Sequence, residues 1–180
     1  MQRFLFLPAL IVASTLAGGQ STQVTVPPGH AVASLASMPA FLSAALASAG
    51  QGEIARKPAP DLFSLGEHAC HLRDLEREGY LVRVCRMLTE REPALEPFDG
   101  DAVAAARNYP AQDPFAAARD FGAARAELVS MVATLSPAQL ALEGTFGERR
   151  VCFADVVAMM VEHDRGHREE IEQLLAHLGA

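Results

Sequence analysis

The sequence has no tryptophan and few runs of β-branched residues, although half of its residues are hydrophobic. Because β-branched and aromatic residues are enriched in strands, their scarcity favours helices over sheet. Basic residues are also in the minority, with 15 lysines and arginines against 22 acidic residues and a formal net charge of -7. Nucleic acids and anionic membranes bind to basic patches. We therefore expect neither a nucleic acid nor a membrane as a partner. The chain of 180 residues is long enough for one domain with a core.

Cysteine is scarce, and its three copies are Cys70, Cys85 and Cys152. Their spacing fits neither a zinc finger nor a CxxC redox pair. An odd number of cysteines is typical of free thiols in a reducing compartment rather than of a disulfide framework. The cysteines therefore favour a cytoplasmic location, and we interpret them as small buried core residues.

The apolar run at the N-terminus is too short for a stable membrane span. It covers Phe4 to Leu16, follows a weakly basic start and precedes small residues. This pattern is typical of a signal peptide, here with cleavage after Ala17, so export is the alternative to a cytoplasmic location. We accordingly assign residues 1–29 to an apolar leader and linker, and residues 30–180 to a single domain.

Four amphipathic helices are predicted from the spacing of apolar residues and from capping signals. Ser64 and Glu67 have the spacing of a capping box for the second helix, and Asp113 followed by proline is typical of a helix start for the third. Residues 93–112 are predicted to be a long polar loop, and residues 143–152 a turn or short hairpin. The pattern indicates an all-α four-helix bundle. Its predicted helices cover about 30–49, 65–91, 113–135 and 153–178.

Three histidines occupy positions where buried leucines would be expected. His163 and His167 lie one turn apart on the apolar stripe of the last helix, and His71 is in line with Leu75 and Val82 of the second. Imidazole is costly to bury without a partner. We therefore predict that the three histidines bind one metal ion and leave a coordination position open for water or substrate. The apolar residues of the stripe are Phe153, Val156, Met160, Ile171, Leu174 and Leu178.

Further polar residues accompany these histidines in the sequence. His68 lies one turn before His71, and we expect it to be exposed or to support the ligands; it is also an alternative fourth ligand, as is Glu67. Metal-bound imidazoles usually donate their second nitrogen to a carboxylate. Glu67, Asp74 and Asp164 are candidates for that role. The alternative for each carboxylate is an acidic helix face that pairs with neighbouring arginines.

Three segments add a family resemblance to this pattern: SLGEHACHLRDLERE at 64–78, PFDGDAVAAARNYPAQDP at 97–114 and VVAMMVEHDRGHREEIEQL at 156–174. With them the chain resembles the DinB-like superfamily of metal-binding four-helix bundles. The resemblance implies an up-down-down-up bundle in which the three histidines match the metal triad of the family. It also implies a divalent zinc, nickel or iron ion and a homodimer.

The same resemblance implies a chemistry. Some relatives are bacillithiol transferases or mycothiol-dependent maleylpyruvate isomerases, with the metal as the proposed activator of a low-molecular-weight thiol that attacks an electrophile. It therefore implies a metal-dependent thiol S-transferase acting on a small-molecule substrate. A non-catalytic metal-binding stress-response bundle and a metal-assisted hydrolase are the alternatives. A bundle whose histidines merely fill space would bind no metal at all.

Overall fold

The computed structural model describes residues 28–178, whose framework is four long helices. The predicted all-α four-helix bundle is thereby confirmed. The predicted leader lies outside the described residues. The helices are Pro28–Ser48 for the first, Leu65–Asp74, Leu75–Tyr80 and Leu81–Thr89 for three consecutive parts of the second, Pro114–Ala133 for the third and Phe153–Leu178 for the last.

The connection between the second and third helices is more ordered than the predicted loop. It contains the short helix Gly100–Arg107, which begins after Asp99 and ends at Asn108, and the 3-10 turn Tyr109–Ala111. Asp99 accepts a hydrogen bond from the amide of Ala102, and Asn108 is left-handed with φ of 49°. Because these cap signals enclose an alanine-rich run, the loop prediction was wrong for this part. Single helical turns also occupy Gln51–Ile54 and Pro137–Leu140.

A small sheet contacts the last helix through its last strand. Strands β2 (Glu143–Phe146) and β3 (Arg149–Cys152) form an antiparallel hairpin, which confirms the hairpin predicted within residues 143–152. Gly147 allows the tight turn because its φ of 59° is unfavourable for other residues. Strand β1 (Ala94–Leu95) lies in the connection between the second and third helices. It pairs in parallel with β2 and so joins this connection to the hairpin. This contribution of residues 94–95 was not predicted.

The helices pack around two groups of buried apolar side chains. The first helix contacts the third and the last, and the second contacts the third and the last. Met160 belongs to one group and Ile171 to the other, so the histidines of the last helix lie between the two.

Within residues 28–178, one helix has the length and hydropathy that could cross a membrane, Gly29–Ser48, with a mean hydropathy of 1.6. Its leucines, such as Leu35 and Leu42, are buried against the other helices.

A π-helical segment decides which residues of the second helix face inward. Leu75–Tyr80 follows the π-helical hydrogen-bond pattern, which widens the helix locally and rotates the residues that follow. Val82, predicted to face the core, is 45% exposed, whereas Arg83 and Val84 are buried. The prediction for Val82 was wrong because it assumed α-helical periodicity through this segment.

One buried ion-pair network joins all four long helices. Arg125 of the third helix donates from Nε to Glu76 of the second at 2.8 Å, pairs with Asp164 of the last and donates to the carbonyl of Leu35 in the first at 3.0 Å. All three charged side chains are buried. Because a buried charge is costly without a partner, the network fixes how the helices align. Asp164, a candidate for supporting a histidine, has Arg125 as its partner instead.

Candidate metal centre

The structure brings the three predicted histidines together between the second and last helices. The ring centroids lie 4.3 Å apart for His163 and His167, 4.9 Å for His71 and His167, and 5.7 Å for His71 and His163. One nitrogen of each ring lies within 4.8 Å of a nitrogen of the other two. Helical spacing accounts for the pair on the last helix, since residues four apart share a face.

The donor atoms fit a divalent metal ion. The Nε2 atoms of His163 and His167 are 3.1 Å apart. Two nitrogens at about 2.0–2.1 Å from a tetrahedral ion would lie about 3.3 Å apart. The Nδ1 atoms of His68, His71 and His163 are buried and have no hydrogen-bond partner within residues 28–178. Since His163 faces His167 with its Nε2 atom, an ion bound by that pair would account for the unpaired Nδ1 of His71 alone. Unpaired buried nitrogens are costly, and an all-imidazole donor set suits zinc, nickel or iron.

Burial disfavours the protonated form of the His71 and His163 imidazoles. The pKa of His71 is lowered to about 3, mainly by burial. A positive charge on the neighbouring His167 ring also lowers this pKa, whereas the carboxylate of Asp74 raises it by a smaller amount. Burial also holds the pKa of His68 and of His163 well below the usual value. The neutral imidazole is the form that binds a metal, because a protonated ring has no free lone pair.

Glu170 orients His167. Its Oε2 lies 2.8 Å from Nδ1 of His167. Because an ionised carboxylate only accepts, the proton belongs on Nδ1 and the lone pair on Nε2, the atom that faces His163. Sequence reasoning missed this residue as a supporting carboxylate. The available signal was its spacing, three positions after His167 on the same helix.

The carboxylates predicted to support the histidines have other partners. Glu67 accepts hydrogen bonds from the amide of Ser64 at 2.8 Å and from Nζ of Lys57 at 3.0 Å, so it belongs to the helix cap. Asp74 accepts from the hydroxyl of Tyr109 at 2.9 Å and pairs with two neighbouring arginines. Neither carboxylate forms a hydrogen bond with a histidine among the described residues.

His68 is buried rather than exposed and lies on the far side of His167. Its ring packs edge-on against His167, with centroids 5.1 Å apart, and against Phe63 at 5.7 Å. His68, His167 and Glu170 form a second group of possible ligands. This group is the weaker candidate, because Glu170 is 46% exposed and already bonds to Nδ1 of His167. The geometry favours the group of His71, His163 and His167.

Comparison with known proteins identifies the family to which the chain belongs. The sequence model of the DinB superfamily matches residues 35–171. The solved structure of YfiT from Bacillus subtilis, described as a probable metal-dependent hydrolase with an unusual four-helix bundle topology, is similar with a TM-score of 0.80. That match has 18% identity and covers 91% of this chain and 95% of the other, so it demonstrates the fold alone. No curated protein matches the chain. The family match covers most of the described residues, and the chain belongs to the DinB superfamily.

Proposed function

We propose that this chain is a metal-dependent enzyme in which His71, His163 and His167 bind one divalent ion and a low-molecular-weight thiol is transferred to a small electrophile. The observation that carries the proposal is the convergence of three imidazoles from two helices. Structural zinc sites are closed by four protein ligands, whereas catalytic sites have three and keep one position open. The nearest further histidine, His68, lies beside Glu170 on the Nδ1 side of His167, away from the Nε2 pair.

Aromatic side chains shield the centre. Phe63 and Phe98 pack against His71 with ring centroids 5.3 and 6.1 Å apart, and Tyr80 packs edge-on against His163 at 5.7 Å. These rings keep the imidazoles in place and limit the access of water. A bound divalent ion would supply a Lewis acid that lowers the pKa of a thiol or water at the open position.

The cysteines of the chain do not supply a reactive thiolate at this centre. Burial raises the pKa of Cys70 to about 11 and also raises the pKa of Cys152. Since the thiolate is the nucleophilic form, both thiols are less reactive at neutral pH than an unperturbed cysteine. Cys85 is exposed on the second helix. This favours a nucleophile that comes from outside the protein.

A cleft beside the centre has room for a small molecule. Its volume is about 440 Å³, it is open to solvent, and Phe63 forms part of its wall, whereas the three histidines do not line it. The same ring contacts His71 and His68, so the cleft and the histidines share one aromatic side chain. Polar groups at the rim include Lys57, Asp61 and Asn108.

Hydrolysis is the second candidate function, because the similar protein YfiT is described as a probable metal-dependent hydrolase. The same histidines would serve it, with water in place of the thiol. In a non-catalytic role, the chain would bind the metal ion and catalyse no reaction. The homodimer and the identities of the metal, the thiol and the substrate stay predictions.

The test uses the full chain loaded with zinc, nickel or iron. We expect it to couple a small thiol to a chromogenic aryl halide faster than the metal-free protein, and a chelator should stop the reaction. Hydrolysis of a chromogenic ester without any thiol would favour the hydrolase instead. Tight metal binding with neither activity would contradict both enzymatic functions and support the non-catalytic role.

Glu170 provides a graded test of the ligand assignment. Replacing it with alanine removes the carboxylate that holds the proton on Nδ1 of His167, and we expect metal affinity to fall by about 10- to 100-fold. The matched control is Glu169→Ala, because Glu169 is the neighbouring residue and pairs only with the exposed Arg165. Competition with a chromophoric chelator measures both variants, and equal affinities would contradict the role of Glu170.

Gly100 tests how tightly His71 is held. A Cβ atom at Gly100 would lie 2.6 Å from Cε1 and 2.8 Å from Nδ1 of His71, so in Gly100→Ala the imidazole ring and the start of the short helix must move apart. Because ligand geometry is then lost, we expect metal affinity to fall by about tenfold or more, on the scale of a disturbed supporting residue.

The control for this substitution is Gly166→Ala in the last helix. A Cβ atom there meets no atom within 4 Å, although Gly166 lies between His163 and His167 in the sequence. Alanine in a helix interior is more favourable than glycine by about 0.5–1 kcal/mol, so this variant should unfold at a slightly higher temperature with unchanged metal affinity. Thermal unfolding and chelator competition measure both effects. Unchanged affinity in Gly100→Ala would contradict the expectation that Gly100 holds His71 in its ligand geometry.

A further inference from the structure

An ion at the triad leaves one buried nitrogen of the neighbouring His68 unexplained. Nδ1 of His68 has no hydrogen-bond partner within residues 28–178, and the residue is only 4% exposed. Buried polar atoms are normally paired, because an unpaired one has lost its hydrogen bonds to water without replacement. The triad ion would bind to Nε2 of His167, the ring nitrogen that faces His163. The unpaired nitrogen of His68 therefore indicates a ligand of its own.

This unpaired nitrogen faces a carboxylate and the second nitrogen of His167. It lies 4.0 Å from Oε2 of Glu170, and the same oxygen lies 2.8 Å from Nδ1 of His167. One ligand atom from each of the three residues lies within 4.8 Å of those of the other two. Two histidines and one glutamate are a ligand set that binds zinc in metalloenzymes. Donor atoms around a tetrahedral zinc ion are about 3.3–3.5 Å apart, so movements of about 0.5–0.7 Å would bring these atoms to that spacing.

Glu170 gives this group both an adjustable ligand and an entrance. Its side chain is 46% exposed, whereas His68 and His167 are buried. An exposed carboxylate can rotate to adjust its distances to the two rings, and an ion can reach it directly from solvent. A metal site requires such an entry path.

We propose that His68, Glu170 and Nδ1 of His167 bind a second divalent transition-metal ion, so that the His167 ring bridges two ions. The proposal rests on the proposed function for the first ion. When the second ion binds, the proton on Nδ1 of His167 leaves for solvent and the bond to the ion takes its place. The resulting imidazolate carries a negative charge between the two ions and offsets part of their repulsion. Because that repulsion lowers the affinity for the second ion, the dialysed chain holds the first ion alone.

The test starts from the full chain, purified without a histidine tag, that keeps one zinc ion after dialysis. Titration of this protein with zinc in a calorimeter should reveal one further equivalent per chain. His68→Phe should weaken binding of that equivalent by tenfold or more and leave the first ion in place. Phenylalanine retains a ring to pack against Phe63 and His167 but has no nitrogen to bind a metal.

His177→Ala is the matched control, because His177 is an exposed histidine of the last helix. It should bind both zinc ions like the unmodified chain. A further equivalent that His68→Phe binds as tightly as the unmodified chain would overturn the proposal. If His177→Ala weakened it instead, the further equivalent would be an adventitious ion only, with the same consequence.

Copper(II) tests the bridge itself, since imidazole ligands suit copper as well as zinc. Two copper(II) ions on one imidazolate couple magnetically. The electron paramagnetic resonance signal per copper should therefore be weaker at low temperature in the chain loaded with two copper ions than in the chain loaded with one. Two bound copper ions with full, uncoupled signals would overturn the bridge.

Metal content and circular dichroism of every variant separate the possible failures. A chain that takes up no ion contradicts both the proposed function and the second site, whereas a chain that takes up one ion and no further equivalent contradicts the second site alone. A single ion that His68→Phe loses and His71→Ala retains would overturn the triad and the bridge together. Should His68→Phe not fold, the number of zinc ions and the copper signal of the unmodified chain decide.

Discussion

Replacing His167 with alanine is expected to reduce the bound metal from about one ion per chain to nearly none and to abolish metal-dependent turnover. His167 contributes the Nε2 atom 3.1 Å from that of His163, and Glu170 orients its ring. Without it, only His71 and His163 remain, on two different helices. The loss of affinity should exceed the 10- to 100-fold that is usual for a supporting residue. Elemental analysis after dialysis measures the metal content.

His177→Ala is the control for this variant. His177 lies near the end of the same helix, is exposed, and its Nδ1 lies 2.7 Å from the carbonyl oxygen of Gln173. Its replacement should leave both metal content and turnover unchanged. A His167→Ala protein that retains a full complement of metal and full turnover would rule out the proposed triad.

Arg125→Met is expected to produce the largest loss of stability. It removes the shared cation of a buried network and leaves Glu76 and Asp164 without a counter-charge. Breaking a buried ion pair from one side costs about 3–5 kcal/mol of the free energy of unfolding. For a chain of this size, that loss lowers Tm by about 6–20 °C. Thermal and urea unfolding followed by circular dichroism measure the change.

The control uses an exposed arginine of the bundle. Arg77 forms a 3.4 Å ion pair with Asp120, and both side chains are more than half exposed. Arg77→Met should therefore change the free energy of unfolding by less than about 1 kcal/mol. If Arg125→Met were no less stable than Arg77→Met, the buried network would not hold the helices together as described.

Local signals account for what the sequence predicted. The capping box of Ser64 and Glu67 and the cap at Asp113 depend on residues three or fewer positions apart, and the structure contains both. His163 and His167 share one helix face by spacing alone. The approach of His71 from another helix could be anticipated because burying three histidines without a partner would be costly.

Long-range contacts account for what it did not predict. Asp164 pairs with Arg125, which lies 39 positions away in the sequence, and only the packing of the third helix on the last brings them together. The burial of Arg83 was not predicted, because the π-helical segment interrupts the periodicity from which the inward face of the second helix was inferred. The contact of Gly100 with His71 depends on a short helix that was expected to be a loop.

The most direct test of the central claim is the metal content of the full chain, purified without a histidine tag, beside the His71→Ala variant. The account predicts about one divalent ion per unmodified chain and nearly none in the variant, because His71 is the one member of the proposed triad that lies on the second helix. No metal in the unmodified chain, even after incubation with zinc, nickel and iron salts, would contradict the metal centre and the enzymatic function built on it.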